Sequence, residues 1–289
     1  MIKYSLYLAS IVCISAACTT TEENNGTDTS GEDGVTITSA DSTQMENVLD
    51  GTHEVENERE LASGIRIQWF EHGTGDLLEN GEMVQIDYKV LLEDGSEIDG
   101  NHLIGIDGKE SVPFVVGAGM QTPGWDMALK ELRVGDFVEI FIPSHLARGE
   151  KSIEGVLPPN SNNILRIRIL KKDPPTRNIE GNKVWLIEEN SNNTLRFNET
   201  TEIEFHCMVS TITNPVYVNT YATNTPLVLR LEYDGMVPGL KKALINAKKS
   251  DRLFIYVPAS EAYGTKGYQD LVKPNEDIFY NILVMDVRK

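Results

Sequence analysis

The chain has 289 residues, more than one typical domain of about 100 to 150, so two modest domains and a tail are expected. Its formal net charge is -18, and twelve acids against Arg59 alone lie between Cys18 and Leu61. No basic face emerges that could neutralise phosphates, which argues against nucleic acid as a partner.

At the N-terminus, Lys3 precedes an apolar run from Tyr4 to Val12, and Ile14, Ser15, Ala16 and Ala17 lead into Cys18. A bilayer-spanning helix needs about 20 apolar residues, so residues 1–18 read as a signal peptide and not as an anchor. The stretch Ser15-Ala16-Ala17-Cys18 resembles a bacterial lipobox, although Leu is more usual where Ser15 stands. The resemblance implies lipidation of Cys18 and a place in the bacterial cell envelope, at the outer membrane, with contact to the membrane through the N-terminal lipid only. An ordinary secretory signal with a chance cysteine is the alternative. Cys13 leaves with the signal, so Cys207 remains without an intramolecular disulfide partner. The five histidines are scattered and none sits at zinc-ligand spacing, so no metal and no cofactor are expected.

Residues 19–61 are Thr, Ser, Asn, Gly and acid, with too little apolar surface to offset the entropy of ordering them, and are expected to form a disordered tether. A first domain is placed at residues 62–173. In it Val84, Ile86, Tyr88, Val90 and Leu92 make the period-two stripe of a half-buried strand, and Asp94-Gly95 supplies a hairpin turn. Strands also fit Phe137 to Ile142 and Leu165 to Leu170. Between them a helix fits from Gly124 to Leu132, with Trp125, Ala128, Leu129 and Leu132 on one face. Asp173-Pro174-Pro175 marks a boundary, because successive prolines cannot donate to a ladder.

The order then recurs over residues 176–289. Ile203, Phe205, Cys207 and Val209 alternate as a strand, Gly239 to Ala247 reads as a helix, and Leu253 to Val257 and Ile278 to Val287 read as strands. Pro123-Gly124-Trp125 answers Pro238-Gly239-Leu240, and the stretch from Ile142 to Gly149 answers that from Val257 to Gly264. A divergent tandem repeat of one domain is expected, and not a solenoid, since each unit exceeds 100 residues. Gly-x-Gly pieces at Gly73 and Gly117 fail as nucleotide motifs because neither joins a strand to a helix.

The motifs of the first unit are Val84-Gln85-Ile86-Asp87-Tyr88, the hairpin into Ile98-Asp99, Pro113-Phe114, Pro123-Gly124-Trp125, Ala147-Arg148-Gly149, and Val156-Leu157-Pro158-Pro159. In this order and at this spacing they resemble the FKBP-type peptidyl-prolyl isomerases. The second unit resembles the same family through Met236-Val237-Pro238-Gly239-Leu240, Ala262-Tyr263-Gly264 and Leu271-Val272-Lys273-Pro274. The resemblance implies an α+β fold of two tandem FKBP-like domains, each an antiparallel sheet wrapped on one short helix. It further implies a proline pocket with Trp125 as floor, Tyr88 and Asp99 as wall and rim, and Thr122 offering a backbone N–H. Ile98, Phe114, Arg148, Val156, Leu157 and Leu165 would complete the substrate contacts. In the second unit Val237, Leu240, Tyr263, Val272 and Tyr280 would line the corresponding pocket.

Both units depart from the family. The first has Arg148 where a loop tyrosine is usual, Gln121 and Thr122 for a Val-Ile pair, and Ile98 and Leu165 at positions usually aromatic. The second has Cys207 for the strand tyrosine, Leu240 for the tryptophan, and no evident Asp. The implied activity is isomerisation of X-Pro bonds in proline-containing or unfolded exported polypeptides, through the first unit, with the second inactive. A non-catalytic chaperone or assembly lipoprotein that holds partners in both pockets is the rival reading, and the long loop from Gly100 to Val112 could contact such a partner.

Overall fold

A computed structural model describes residues 49–101, 111–189, 192–233 and 235–289. The alternating stripe read from Val84 to Leu92 forms β3, Met83–Leu91. Around it the first unit contributes β1 Asn57–Glu60, β2 Arg66–Glu71, β4 Glu97–Gly100, β5 Val112–Val115, β6 Phe137–Ile142 and β7 Asn163–Asp173. They pair antiparallel in the order β1-β2-β6-β7-β3-β4, with β5 on β3. Inward residues such as Ile67, Ile86, Ile140 and Ile167 are fully buried against α1, Pro123–Leu129. The stripe of that helix runs on to buried Leu132, as the sequence predicts, but the helix stops earlier. Its end tightens, with the Glu131 and Leu132 amides donating to the Ala128 and Leu129 carbonyls three residues back.

The second unit repeats the design with β8 Arg177–Ile179, β9 Asn182–Glu188, β10 Glu202–Ser210, β11 Val218–Asn219, β12 Leu227–Leu229, β13 Arg252–Val257 and β14 Ile278–Arg288. Its order is β11-β10-β14-β13-β9-β8, with β12 on β10, so each strand has a counterpart in the first sheet. A short α2, Thr220–Thr223, follows β11 and is capped by the Asn219 side chain, which accepts from the Tyr221 and Ala222 amides. The main helix α3, Pro238–Leu244, is shorter than the stretch to Ala247 expected from sequence, because Ile245 is extended and Asn246 takes a left-handed φ of 70°.

One expectation is corrected. The tether predicted over residues 19–61 does not extend to its C-terminal part, since residues 49–60 dock on the first sheet. Leu49 is buried in a small cluster with Phe70 and Phe137, and Arg166 donates to the Leu49 and Gly51 carbonyls at 3.2 and 2.9 Å. Lys89 pairs with Asp50, and β1 pairs with β2 from Asn57 opposite Trp69 to Glu60 opposite Arg66. Polar composition understated what one apolar anchor and a strand edge can hold once a sheet is present. Residues 1–48, with the signal and the lipidation site Cys18, lie outside the described residues, as do residues 102–110 of the long loop. Among the described residues no helix is long and apolar enough to cross a membrane.

The two units share a core. Trp185, Phe254, Tyr256 and Phe279, on the outer face of the second sheet, join the buried cluster of the first unit. The matching positions on the first sheet, read through the shared strand register, are Gln68, Glu139, Phe141 and Ile164. The second sheet is therefore apolar on both faces because the first unit covers one of them. Lys183 donates to the Gly81 carbonyl at 2.7 Å, Trp185 Nε1 to the Asp173 carbonyl at 3.0 Å, and Ser210 Oγ to the Ala118 carbonyl at 2.6 Å. Gly119, at a φ of 65°, allows the tightest approach: a Cβ there would lie 2.1 Å from the Thr211 carbonyl oxygen.

Candidate functional site

In the first unit three aromatic rings meet where β3, β5 and the start of α1 converge. Pro123, suited to the first helical turn by its fixed φ, starts the helix and sets Trp125 facing the sheet. Phe114 stacks on Trp125 at 5.5 Å between ring centroids and 25° between planes, and Tyr88 meets Trp125 edge-on at 5.2 Å and 76°. Ile98, Leu157 and Leu165 are buried in the same cluster, with Val156 half-buried against it. The residues expected to form an apolar pocket are thus brought together.

The polar rim is built on β3 and β4. Val90 lies opposite Asp99, whose carboxylate reaches the Tyr88 hydroxyl. The Tyr88 hydroxyl donates to Asp99 Oδ1 at 3.3 Å, and the Gly100 amide donates to the same oxygen at 2.9 Å. Asp99 Oδ2 is buried and has no hydrogen-bond partner among the described residues. Burial pushes the Asp99 carboxyl up to about 6, against the lowering effect of the Gly100 amide, the Tyr88 hydroxyl and the positive charge of Arg148. Burial, reinforced by the charge of Asp99, holds the Tyr88 hydroxyl well above its ordinary range. Asn101 Oδ1 accepts from the Tyr88 amide at 2.8 Å and so fixes the end of β4 against β3.

Thr122 lies at the N-cap of α1 in extended backbone, with its carbonyl accepting from the Trp125 amide. Its half-buried side chain has an Oγ1 with no hydrogen-bond partner among the described residues. Arg148 is half-buried on the loop after β6, close enough to act on Asp99 through its charge. The cluster so formed is apolar, with Tyr88, Asp99, Thr122 and Arg148 as its hydrogen-bonding groups.

Strand register identifies the counterparts in the second unit. Tyr88 opposes Ile167 and Val138 opposes Ile167, while Cys207 opposes Ile282 and Leu253 opposes Ile282, so Cys207 stands at the position of Tyr88. Val209 opposes Val218 as Val90 opposes Asp99, which puts a valine in the place of the carboxylate. The residue before it, Tyr217, occupies the place of Ile98 and was not foreseen from sequence. Tyr280 replaces Leu165, and the Tyr268 bridge to Val272 matches the Ile153 bridge to Leu157. Tyr263 and Tyr268 stack at 4.7 Å and 17°. Leu240, Val237, Val272 and Tyr280 are buried in one apolar cluster, with Tyr217 and Tyr263 packed on it.

The two clusters are chemically complementary. The first keeps the Tyr, Asp and Trp set and lacks aromatic groups at Ile98, Arg148 and Leu165, whereas the second has Tyr217, Tyr263 and Tyr280 there and lacks the set. Cys207 is buried and free, and burial pushes its thiol up to about 12, so it offers no nucleophile near neutral pH. The Cys207 amide donates to Thr220 Oγ1 at 2.8 Å, as the Tyr88 amide does to Asn101. A signal for Tyr217 existed in the Tyr217-Val218 pair, but only the β10–β11 register aligns it with Ile98-Asp99.

Comparison with known proteins agrees with this geometry. The family model described as FKBP-type peptidyl-prolyl cis-trans isomerase matches residues 75–170 and 194–285. Peptidyl-prolyl cis-trans isomerase FKBP10 of Mus musculus is 21% identical over 219 residues, covering 73% of this chain and 35% of that protein, so the chain spans about a third of that relative's length. FK506-binding protein 1A of Neurospora crassa is 30% identical over 108 residues, 37% of this chain and 87% of that protein. The FKBP-type peptidyl-prolyl cis-trans isomerase FkpA of Escherichia coli is 30% identical over 113 residues, 39% of each chain. Each of the two matched regions falls within one of the two sheets, and the chain accordingly belongs to the FKBP-type peptidyl-prolyl cis-trans isomerase family, with two FKBP domains in tandem.

Proposed function

We propose that the protein is a lipid-anchored folding factor of the bacterial cell envelope that isomerises X-Pro bonds of exported polypeptides in its first domain, while the second binds such chains without catalysing the exchange. The amide barrier is about 18–20 kcal/mol and arises from resonance, so a catalyst needs no nucleophile or metal; it must hold the twisted amide better than either planar form. An apolar floor disfavours the charge-separated planar resonance form, and a few fixed polar groups orient the peptide. Trp125, Phe114 and Leu157 supply the floor and walls, and Tyr88, Asp99 and the Thr122 backbone N–H supply the polar side.

The observation that carries this assignment is the buried Tyr88–Asp99 pair over Trp125, replaced by Cys207, Val218 and Leu240 in the second domain. The second domain's tyrosine-lined pocket favours holding, which is the chaperone reading confined to that domain. The envelope location rests on the sequence from Lys3 to Cys18. The test is a protease-free isomerisation assay on the full chain. Asp99→Leu is expected to lower the catalysed rate about tenfold, a transition-state loss of about 1.4 kcal/mol, and Tyr280→Leu to leave it unchanged; equal rates for wild type and Asp99→Leu refute the assignment.

A further inference from the structure

The indole of Trp69 and the cavity beside Leu186 are two versions of one place in the fold. Trp69 opposes Val138, and Leu186 opposes Leu253, its counterpart in the second domain. In the first domain the Trp69 ring is buried, stacks on His72 at 5.3 Å, and donates from Nε1 to Asp136 Oδ2 at 3.1 Å. Asp136 also accepts from the Gly73 amide at 2.7 Å and the Arg133 amide at 2.8 Å, so this buried carboxylate has three donors.

In the second domain Asp251 holds the equivalent turn. Its carbonyl accepts from Val284 at 2.9 Å as that of Asp136 accepts from Ile169 at 2.9 Å, and its Oδ2 accepts from the Lys248 amide at 2.9 Å as Asp136 accepts from Arg133. With Leu186 in place of the indole, a cavity of about 420 Å³ opens, lined by Leu186, Leu253, Asp251, Arg177, Arg196 and Lys248 among others. Asp251 is 3% exposed; its Oδ1, which matches the Asp136 oxygen served by the Gly73 amide, is buried without a hydrogen-bond partner among the described residues. Asp136 Oδ2 takes both the Arg133 amide and the Trp69 indole, whereas Asp251 Oδ2 takes the Lys248 amide alone and keeps the place of the indole donor open; Val184, Leu186, Ala247 and Leu253 give the otherwise polar cavity an apolar side against which a flat ring that carries an N–H can lie. Arg177, whose guanidinium donates to the Ala243 and Ile245 carbonyls at 2.8 Å, holds a positive charge at the cavity's edge, where it can face a π-system.

We propose that this cavity is a binding site for an indole-type ring, which donates its N–H to Asp251 and occupies the volume that Trp69 fills in the first domain. The ring comes either from a free indole compound or from a tryptophan side chain of a bound polypeptide. The site is separate from both proline pockets and does not depend on isomerase activity.

The test uses the full chain, with binding followed by NMR shifts of the Leu186 methyl groups and the Asp251 amide. Indole is expected to bind saturably at low millimolar concentration, and 1-methylindole, which lacks the N–H, about tenfold more weakly. Leu186→Trp, which returns the domain's own indole, is expected to abolish binding and to raise Tm. No saturable shift with indole, equal binding of indole and 1-methylindole, or unchanged binding in a folded Leu186→Trp variant would each overturn the proposal; the two-ligand comparison on wild type decides it even if the variant fails to fold. N-acetyltryptophanamide separates the sources: binding as tight as that of indole assigns the site to tryptophan side chains, and exclusion of it assigns the site to free indole compounds.

Discussion

Asp99 and Val218 occupy the same register position, opposite Val90 on β3 and Val209 on β10, so one unit carries a buried carboxylate where the other carries an isopropyl group. A single repeated fold thereby holds two sites of different chemistry. The carboxylate is held against its preference for water, and that has consequences for pH.

The Asp99 carboxyl titrates near 6 in the folded protein and near its ordinary value when unfolded. The folded state binds the extra proton, so ionisation of Asp99 destabilises the fold as pH rises from about 4 through 6, and the cost is complete above 6. Asp99→Asn is expected to gain about 3 kcal/mol relative to wild type at pH 8 and to lose that advantage by pH 4, as measured by denaturant unfolding across pH. If the ionised form serves catalysis, kcat/KM of wild type falls below pH 6 while the profile of Asp99→Asn is flat there.

Trp125→Leu copies the floor of the second domain. It removes ring contacts to Tyr88 and Phe114 but keeps an apolar side chain, so a stability loss of about 1–3 kcal/mol is expected, smaller than the roughly 3–5 kcal/mol of Trp125→Ala. Isomerase activity of the folded variant should drop at least about tenfold, a barrier increase of about 1.4 kcal/mol. Urea titration and the rate assay on the same preparation check both statements.

Gly119→Ala tests the shared core. The left-handed φ alone costs about 1–2 kcal/mol for a residue with a Cβ, and the Thr211 carbonyl leaves no room for that atom. The variant is expected to lose at least about 2 kcal/mol and to be cut faster at the Pro174-Pro175 junction during limited proteolysis. Unchanged cleavage there would show that the domains do not rely on this approach.

Leu49→Asp tests the docked segment. In wild type, protease trimming from the N-terminus should stop near Leu49, because β1 and the Arg166 contacts protect the segment from Leu49 to Glu60. In the variant, the buried charge releases the segment and trimming should proceed to about Leu61, with little change in the unfolding midpoint of the rest. Mass spectrometry of the trimmed core distinguishes the two end points.

By itself the sequence determined the number of units, the strands β3, β6 and β7 with their counterparts β10, β13 and β14, and the motifs that resemble the family. These have local causes: period-two alternation such as that from Val84 to Leu92, and short runs such as Pro123-Gly124-Trp125 whose residues act together. Tertiary structure alone decided that Tyr217 and Val218 answer Ile98 and Asp99, that Leu49 anchors a segment whose composition reads as disordered, that Trp185, Phe254, Tyr256 and Phe279 face the other domain, and that Leu186 leaves open what Trp69 fills. Each of these is set by pairing between strands far apart in the chain, and a one-residue difference in register moves a side chain from one face of a sheet to the other. Local pattern carries no information about which distant strand lies alongside, and that pairing decides which residues share a pocket.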